Sequence, residues 1–194
     1  MWNERFAGDE FFYGTKPNDF LAENVQLLSG KVLSLCEGEG RNAVFMAKQG
    51  LVVHAVDGSS VGLEKAQKLA AAQGVNITTE VADLTQYSIE PASYGATVSI
   101  FAHLPSAERK KLHAKVEQGL KPQAVFLLEG YSKNQLANDT GGPKNLDMLF
   151  SVEELLGDFS QCDVILAHEI EREVIEGQGH TGLASVVQLL LRKR

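Results

Sequence analysis

Along the chain, short runs of β-branched residues and leucine alternate with longer stretches in which apolar positions recur every three or four residues. The first pattern is that of strands buried on both faces, the second that of amphipathic helices. Strands are predicted at about Val32–Cys36, Val52–Val56, Ile77–Val81, Ala96–Phe101, Ala124–Glu129, Val164–Glu173 and Ala184–Leu191. Helices are predicted at about Asn18–Leu28, Asn42–Gln49, Val61–Gln73, Ser106–Gly119 and Ser151–Phe159. Ser106 and Ser151 read as helix caps, with Glu108 and Glu154 in the first turns behind them.

Strands separated by helices imply a parallel sheet with right-handed crossovers. The end of the chain departs from this, because only "VIEGQGHTGL" lies between the last two strands. That stretch is too short for a crossover and suits a hairpin, so the last strand must run antiparallel. The expected fold is therefore α/β, a Rossmann-like three-layer sandwich around a seven-stranded, mostly parallel sheet with an antiparallel last strand. One domain is expected over residues 1–194, with residues 1–30 as an N-terminal arm and helix covering a cleft. The polar, glycine-bearing "SKNQLANDTGGPKN" reads as a long loop of the kind that is usually functional or disordered.

Composition narrows the partners. A formal net charge of -7, with the lysines and arginines scattered apart from "ERKK" and the terminal "RKR", argues against nucleic acid as substrate. The two cysteines, Cys36 and Cys162, each lie beside an apolar run and read as reduced, buried thiols. The opening "MWNERFAGDEFFYG" carries acids and no apolar core, so it is not a signal peptide. No stretch approaches the roughly 20 apolar residues that span a bilayer. A soluble cytoplasmic protein is expected.

The informative segment is "KVLSLCEGEGRNAVFMAKQGLVVHAVDGSS". Gly38, Gly40 and Ala43 satisfy the G-x-G-x-x-G/A turn that lets backbone approach a ligand at a helix N-terminus. Asp57 closes the second strand, where a carboxylate accepts hydrogen bonds from two ribose hydroxyls. These features alone permit a nicotinamide dinucleotide. Two others favour a different ligand. Glu37 and Glu39 stand in the turn itself, where they repel a pyrophosphate and attract a cation. Asp83, in "EVADL" after the third strand, suits an adenine amino group and is not required by a nicotinamide enzyme. A nucleoside that bears positive charge in place of phosphates is S-adenosylmethionine.

"VLSLCEGEGRNA", "VHAVDGSS" and "VADL" at these spacings resemble the cofactor segments of class I S-adenosylmethionine-dependent methyltransferases. The antiparallel last strand agrees with that fold. "WNERFAGDEFFYGTKPNDFL" and "TGGPKNLDMLFSVEEL" resemble a small bacterial group similar to tellurite-resistance (TehB-like) and thiopurine methyltransferases. The resemblance implies that Gly38 and Gly40 line the methionine part and that Asp57 holds the ribose. It implies Gly58 and Ser59 under the adenosine, Asp83 and Leu84 at the adenine, and Phe101 flanking the pocket. Two positions depart from the general pattern: Ser34 replaces an acid and Cys36 a glycine. Glu37 is the candidate to replace the missing carboxylate.

Methyl transfer is a displacement at a sulfonium carbon, which gains most from alignment and exclusion of water. A base is optional. The candidates are His103, just past the fourth strand, and His180 in the closing hairpin on the ligand side of the sheet. His54, His113 and His168 lie inside regular elements and read as structural. Glu129 closes the fifth strand, and "FFYGTKP" reads as a lid with Phe12 and Tyr13 as cover and Gly14 as hinge. No zinc-ligand spacing and no Gly-x-Ser-x-Gly elbow occurs. The expectation is a methyltransferase using S-adenosylmethionine on a small-molecule acceptor. Its rivals are a nicotinamide oxidoreductase and a cofactor-binding protein without turnover.

Overall fold

The computed structural model describes residues 1–194. Seven strands form one sheet: β1 (Lys31–Leu35), β2 (Val52–Asp57), β3 (Thr78–Val81), β4 (Tyr94–Ile100), β5 (Leu120–Tyr131), β6 (Cys162–Glu176) and β7 (His180–Lys193), in the order β3-β2-β1-β4-β5-β7-β6. β7 is antiparallel to both of its neighbours, and the other strands run parallel to one another. The helices are α1 (Trp2–Phe6), α2 (Asp19–Asn24), α3 (Arg41–Lys48), α4 (Ser60–Ala72), α5 (Ser106–Gly119) and α6 (Val152–Gly157).

Alternation along the strands divides the interior in two. Val32, Val53, Ala55, Ala96 and Val98 meet α2, α3 and α4 through Leu21, Met46, Leu63 and Ala66. Leu33, Leu35, Val56, Phe126 and Leu128 meet α5 and α6 through Leu112, Val116 and Leu155. This is the expected three-layer sandwich, with strands apolar on both faces because both faces are covered. No helix is long and apolar enough to cross a membrane.

The differences from expectation are local and have identifiable causes. α2 stops at Asn24 and tightens into a 3-10 turn over Val25–Leu27, closed by the Leu28 N–H donating to the Val25 carbonyl. Ser106 is not a cap: Pro105 occupies that place, and the Ser106 backbone and hydroxyl both donate to the Asp147 carboxylate. Ser151 does cap α6, accepting from the Glu154 backbone N–H. The loop after β5 contains a 3-10 turn at Lys133–Ala137. Most consequential, β6 and β7 exceed their predicted lengths at the hairpin end. β5 pairs with β7 only as far as Tyr131 and Val186, so residues 180–185 project past the sheet with β6 as their sole strand partner.

α5 and α6 are fastened beneath the sheet by charge. Asp158, just past α6, accepts from Arg109 Nε at 2.8 Å and lies 2.8 Å from His113 Nδ1. Burial alone raises its pKa, but His113 and Arg109 outweigh that effect and hold the carboxyl below its ordinary value. Removing one partner of such a pair strands a buried charge, at about 3–5 kcal/mol. Asp158→Ala is therefore expected to lower unfolding stability by that amount in urea titrations. A loss below about 1 kcal/mol would mean that the two helices are held by apolar packing alone.

Candidate functional site

β1 ends at Leu35, paired with Val56 on one side and Ser99 on the other, so the segments following β1, β2 and β4 emerge side by side. Asp57, the last residue of β2, pairs with Val81 and places its own segment beside the Ala82–Leu84 turn. The backbone of Ala82 completes this by donating to the Asp57 carbonyl at 3.0 Å. The glycine turn, Asp57 to Ser59, Asp83 with Leu84, and Phe101 are thus gathered along the carboxyl edge of four adjacent strands, where open parallel sheets hold ligands.

Two residues at this edge have left-handed backbone without being glycine, Cys36 just past β1 and Phe101 just past β4, each with φ 52°. Such conformations cost on the order of 1 kcal/mol and gather at functional sites. Gly40 is required where it stands, with φ 93°, because an added Cβ would lie 2.6 Å from that of Ala66 on α4. The loop can therefore press onto α4 only with glycine there.

Asp57 accepts from the Gly38 N–H at 2.9 Å and from the Ser59 N–H at 2.7 Å, which ties the glycine turn to the start of α4. Burial raises its pKa, opposed by these two donors. Ser59 is the cap of α4, accepting from Gly62, and its hydroxyl donates to Asn3 at 2.7 Å. Asp83 is exposed to solvent and takes both Thr85 donors on one oxygen. Glu37 behaves differently from the other acids. Its carboxylate turns inward to the Ser34 hydroxyl and accepts from the Ala43 N–H at 2.8 Å. It supplies the α3 N-terminus with the acceptor that Gly40, lacking a side chain, cannot provide. Burial pushes its pKa up to about 7, with Ser34 and Ala43 opposing.

His103 and His180 reach different ends. His103 is half-buried and stacked on Phe150 at 4.5 Å; its Nδ1 lies 2.8 Å from the Met148 carbonyl and its Nε2 accepts from the Tyr131 N–H at 3.1 Å. Burial pushes its pKa down to about 4. With both nitrogens engaged in the backbone, His103 has none left for a proton-accepting role, which corrects the expectation drawn from its position. His180 makes no hydrogen bond and is enclosed by the rings of Phe101 at 4.4 Å, Tyr13 at 4.5 Å and Tyr131 at 5.3 Å. Its Nδ1 is buried without a partner.

Sequence reasoning missed what surrounds His180. Glu176 accepts from Arg41 at 2.6 Å and from Asn18 at 2.9 Å; Asn18 also donates to Glu129 at 2.8 Å, and Gln188 donates to Glu129 at 2.6 Å. Arg172 pairs with both carboxylates. Burial would raise the Glu176 carboxyl, but His180, Arg41 and Asn18 outweigh it and hold the pKa at about 2. The "FFYG" segment lies between the glycine turn and the hairpin tip. Phe12 donates its N–H to Glu39 at 2.8 Å and accepts from the Gln178 N–H at 2.8 Å, bridging the glycine turn and the hairpin tip. Phe6 lies over Gly38, and Lys65 joins Glu39 at 2.5 Å while donating to the carbonyls of Gly8 and Glu10. Two surface hollows of about 440 and 290 Å³ lie elsewhere, one beside α6 and one beside the outer face of α3.

This arrangement is the class I methyltransferase fold, and residues 32–123 are a methyltransferase domain by their match to the family model of that description. Similar solved structures cover nearly the whole chain. One is a protein described by the conversion of a disulfide bond into a thioacetal group during echinomycin biosynthesis, 19% identical, with a TM-score of 0.78 over 98% of this chain and 87% of that one. A second is an S-adenosylmethionine-dependent methyltransferase from Methanosarcina mazei, 18% identical, with a TM-score of 0.70 over 92% and 98%. TehB from Haemophilus influenzae is 19% identical, with a TM-score of 0.74 over 90% of this chain and 61% of that one. No curated protein matches by sequence.

The inward-turned carboxylate of Glu37 makes stability depend on pH in an identifiable direction. Its pKa is about 7 in the folded chain against 4.5 ordinarily, so the folded state holds more protons between those values. Its contribution is complete below pH 4.5 and is lost as pH rises through 7, by about 3 kcal/mol at most. Glu37→Gln keeps both hydrogen bonds without the charge, so denaturant titrations at pH 5 and pH 8 are expected to show a smaller decline for the variant. Equal declines in the two proteins would place the titration on another group.

Proposed function

We propose that the protein is an S-adenosylmethionine-dependent methyltransferase acting on a small-molecule acceptor. The observation that carries this is the charge along the cofactor edge. Asp57 and Asp83 offer acceptors for ribose hydroxyls and an adenine amino group, while the nearest cations, Lys65 and Arg41, are committed to Glu39 and Glu176. An edge of this kind suits a sulfonium nucleoside, and its two nearest cations are already neutralised, which weighs against the pyrophosphate of a nicotinamide dinucleotide. When bound, S-adenosylmethionine supplies an electrophilic methyl group. Gly38 and Gly40 would let its methionine end approach the backbone, Asp57 would hold the ribose, Gly58 and Ser59 would lie under the adenosine, and Asp83 with Leu84 would meet the adenine.

Phe101 joins the cofactor edge to the ring cluster around His180, so the acceptor is assigned to that cluster. Its enclosure by the arm and hairpin favours a small molecule over nucleic acid, and water kept out there strengthens every charge in the site. His103 is assigned a positioning role, holding Tyr131 and the strand end, while His180 is left as the residue facing the acceptor. Residues 1–17 act as the cover, with Phe6 over Gly38 and Tyr13 over His180. The two unpaired cysteines support a reducing, cytoplasmic setting.

Asp57→Ala removes the acceptor for two hydroxyls and is expected to weaken binding of S-adenosylmethionine and S-adenosylhomocysteine at least tenfold, from about 1.5–3 kcal/mol. Isothermal titration of wild type and variant, with NAD in parallel, measures this. NAD binding without binding of the other two would return the glycine turn to the dehydrogenases; an unchanged dissociation constant would remove Asp57 from the ribose site.

A further inference from the structure

The tip of the β6–β7 hairpin carries two groups that the cofactor does not explain, a carboxylate with three kinds of partner and an imidazole with no hydrogen bond. We infer that they form a working pair, in which His180 Nε2 takes the proton of a neutral, planar acceptor and Glu176 is the positioning residue that fixes the imidazole tautomer. The inference rests on the methyltransferase reading above.

The tautomer follows from what surrounds the ring. Glu176 Oε2 lies 3.6 Å from His180 Nδ1, and the same oxygen accepts from Arg41 at 2.6 Å, so this carboxylate is ionised and can only accept. The nitrogen that faces it therefore bears the hydrogen, and the lone pair is left on Nε2. The separation of 3.6 Å is longer than a hydrogen bond, so the pair is poised to close when a ligand presses on the ring. The titratable and charged groups around the ring are Glu176 and Arg172 on β6, Glu129 and Tyr131 on β5, Arg41 on α3, Arg5 on α1, Tyr13 on the arm, and His103 past β4. Burial lowers the His180 pKa, Glu176 opposes, and Arg41 and Arg5 lower it further, so the ring is neutral and able to accept a proton at neutral pH.

The acceptor class follows from the same surroundings. His180 is held among three rings, of which Tyr13 alone comes from the N-terminal arm, so a molecule that takes the place of Tyr13 would lie between flat surfaces. An oxyanion would need an uncommitted cation. Arg41 and Arg172 are already bound to Glu176 and Glu129, and Arg5, which pairs with no carboxylate, stands exposed over the Trp2 and Phe12 rings, so an anion buried beside His180 would lack a buried cation of its own. A base is useful only to an acceptor whose nucleophilic oxygen or nitrogen still carries its proton. Phenols and heteroaryl hydroxyls meet all three conditions. In the step itself the acceptor's bond to hydrogen breaks and its proton passes to Nε2. The electron pair left behind forms the new bond to the methyl carbon, as the carbon–sulfur bond breaks with its pair staying on sulfur. The proton on Nε2 then leaves to water.

The test uses the full chain labelled with ¹⁵N-histidine and saturated with S-adenosylhomocysteine, whose binding is first measured by calorimetry. Two-bond nitrogen–proton spectra at pH 7.5 are expected to show His180 in the Nδ1–H form. In Glu176→Gln that preference is expected to be lost and the His180 titration to move to lower pH, with Glu176→Asp restoring the Nδ1–H form. Catechol is expected to shift the His180 resonances and to be methylated in the presence of S-adenosylmethionine, whereas sodium tellurite does neither. An Nε2–H form in the wild type, a titration indifferent to Glu176→Gln, or a response to tellurite and not to catechol would overturn the pair. Because the tautomer is read on the wild type as well, a variant that fails to fold leaves the inference open to refutation. Loss of S-adenosylhomocysteine binding by the wild type would instead strike the methyltransferase reading itself.

Discussion

The Glu176 carboxylate is the constraint on which the closed arrangement of this molecule depends. It lies at the end of β6 and is reached by Arg41 from the start of α3, by Asn18 from the arm, and by Arg172 from four residues earlier on the same strand. Taking a carboxylate out of water costs several kcal/mol, and only close, well-directed donors offset that cost. The donors come from three separate segments, so the hairpin tip, the arm and the glycine turn can hold their places only together. Glu129 extends the junction by sharing Asn18 and Arg172 with it and adding Gln188 from β7. A ligand that shifts one of these segments must act on the others, because none can withdraw without stranding a buried charge.

The cover is built on the same logic with weaker parts. The Phe12 backbone uses its N–H on Glu39 and its carbonyl on Gln178, so a single residue spans the space between the glycine turn and the hairpin. Gly179 allows this approach, since a Cβ there would lie 2.4 Å from the Phe12 ring. Lys65 secures the arm a second time through backbone carbonyls. These contacts are single hydrogen bonds, each worth about 1 kcal/mol, and one ion pair whose carboxylate is buried. The junction beneath them is far more expensive to open. Such an ordering would let residues 6–14 yield to a ligand while Asn18 and the hairpin stay in position.

The parallel sheet and its antiparallel last strand were legible because both rest on local signals: apolar runs, helical periodicity, and a connection too short for a crossover. The gathering of Gly38, Gly40, Asp57 and Asp83 along one sheet edge was legible for the same reason, since each lies at the end of a local element and the strand order brings them together. The length of the β6–β7 hairpin was not, because residues 174–183 alternate weakly and their partners lie in the arm and not in the sheet. Nor was the junction around Glu176. Asn18, Arg41, Glu129, Arg172 and Glu176 are spread over most of the chain, and a residue such as Arg172 looks like an ordinary solvated charge until the tertiary fold buries it. His103 misled for a related reason. Its place past the end of β4 suited chemistry, but Met148 and the Tyr131 backbone, 45 and 28 residues away, take both nitrogens.

Ser34 and Glu37 form a pair that turns an acid of the glycine turn inward. A strand residue can aim a carboxylate outward along the sheet edge, whereas Glu37 sits in the turn and folds back onto the strand through the Ser34 hydroxyl. Its other oxygen holds the Ala43 N–H. The acid thus serves α3 and the turn before it serves any ligand, and its charge is muted by burial. The positive end of a bound methionine would then be met chiefly by backbone carbonyls of the turn and by Glu39, whose charge Lys65 already shares. Opening the arm would release Lys65 from the carbonyls of residues 8 and 10 and leave it free to withdraw from Glu39. Entry of a cationic ligand and departure of the arm's lysine contact would then be electrostatically coupled, since each strengthens the field that the other sees.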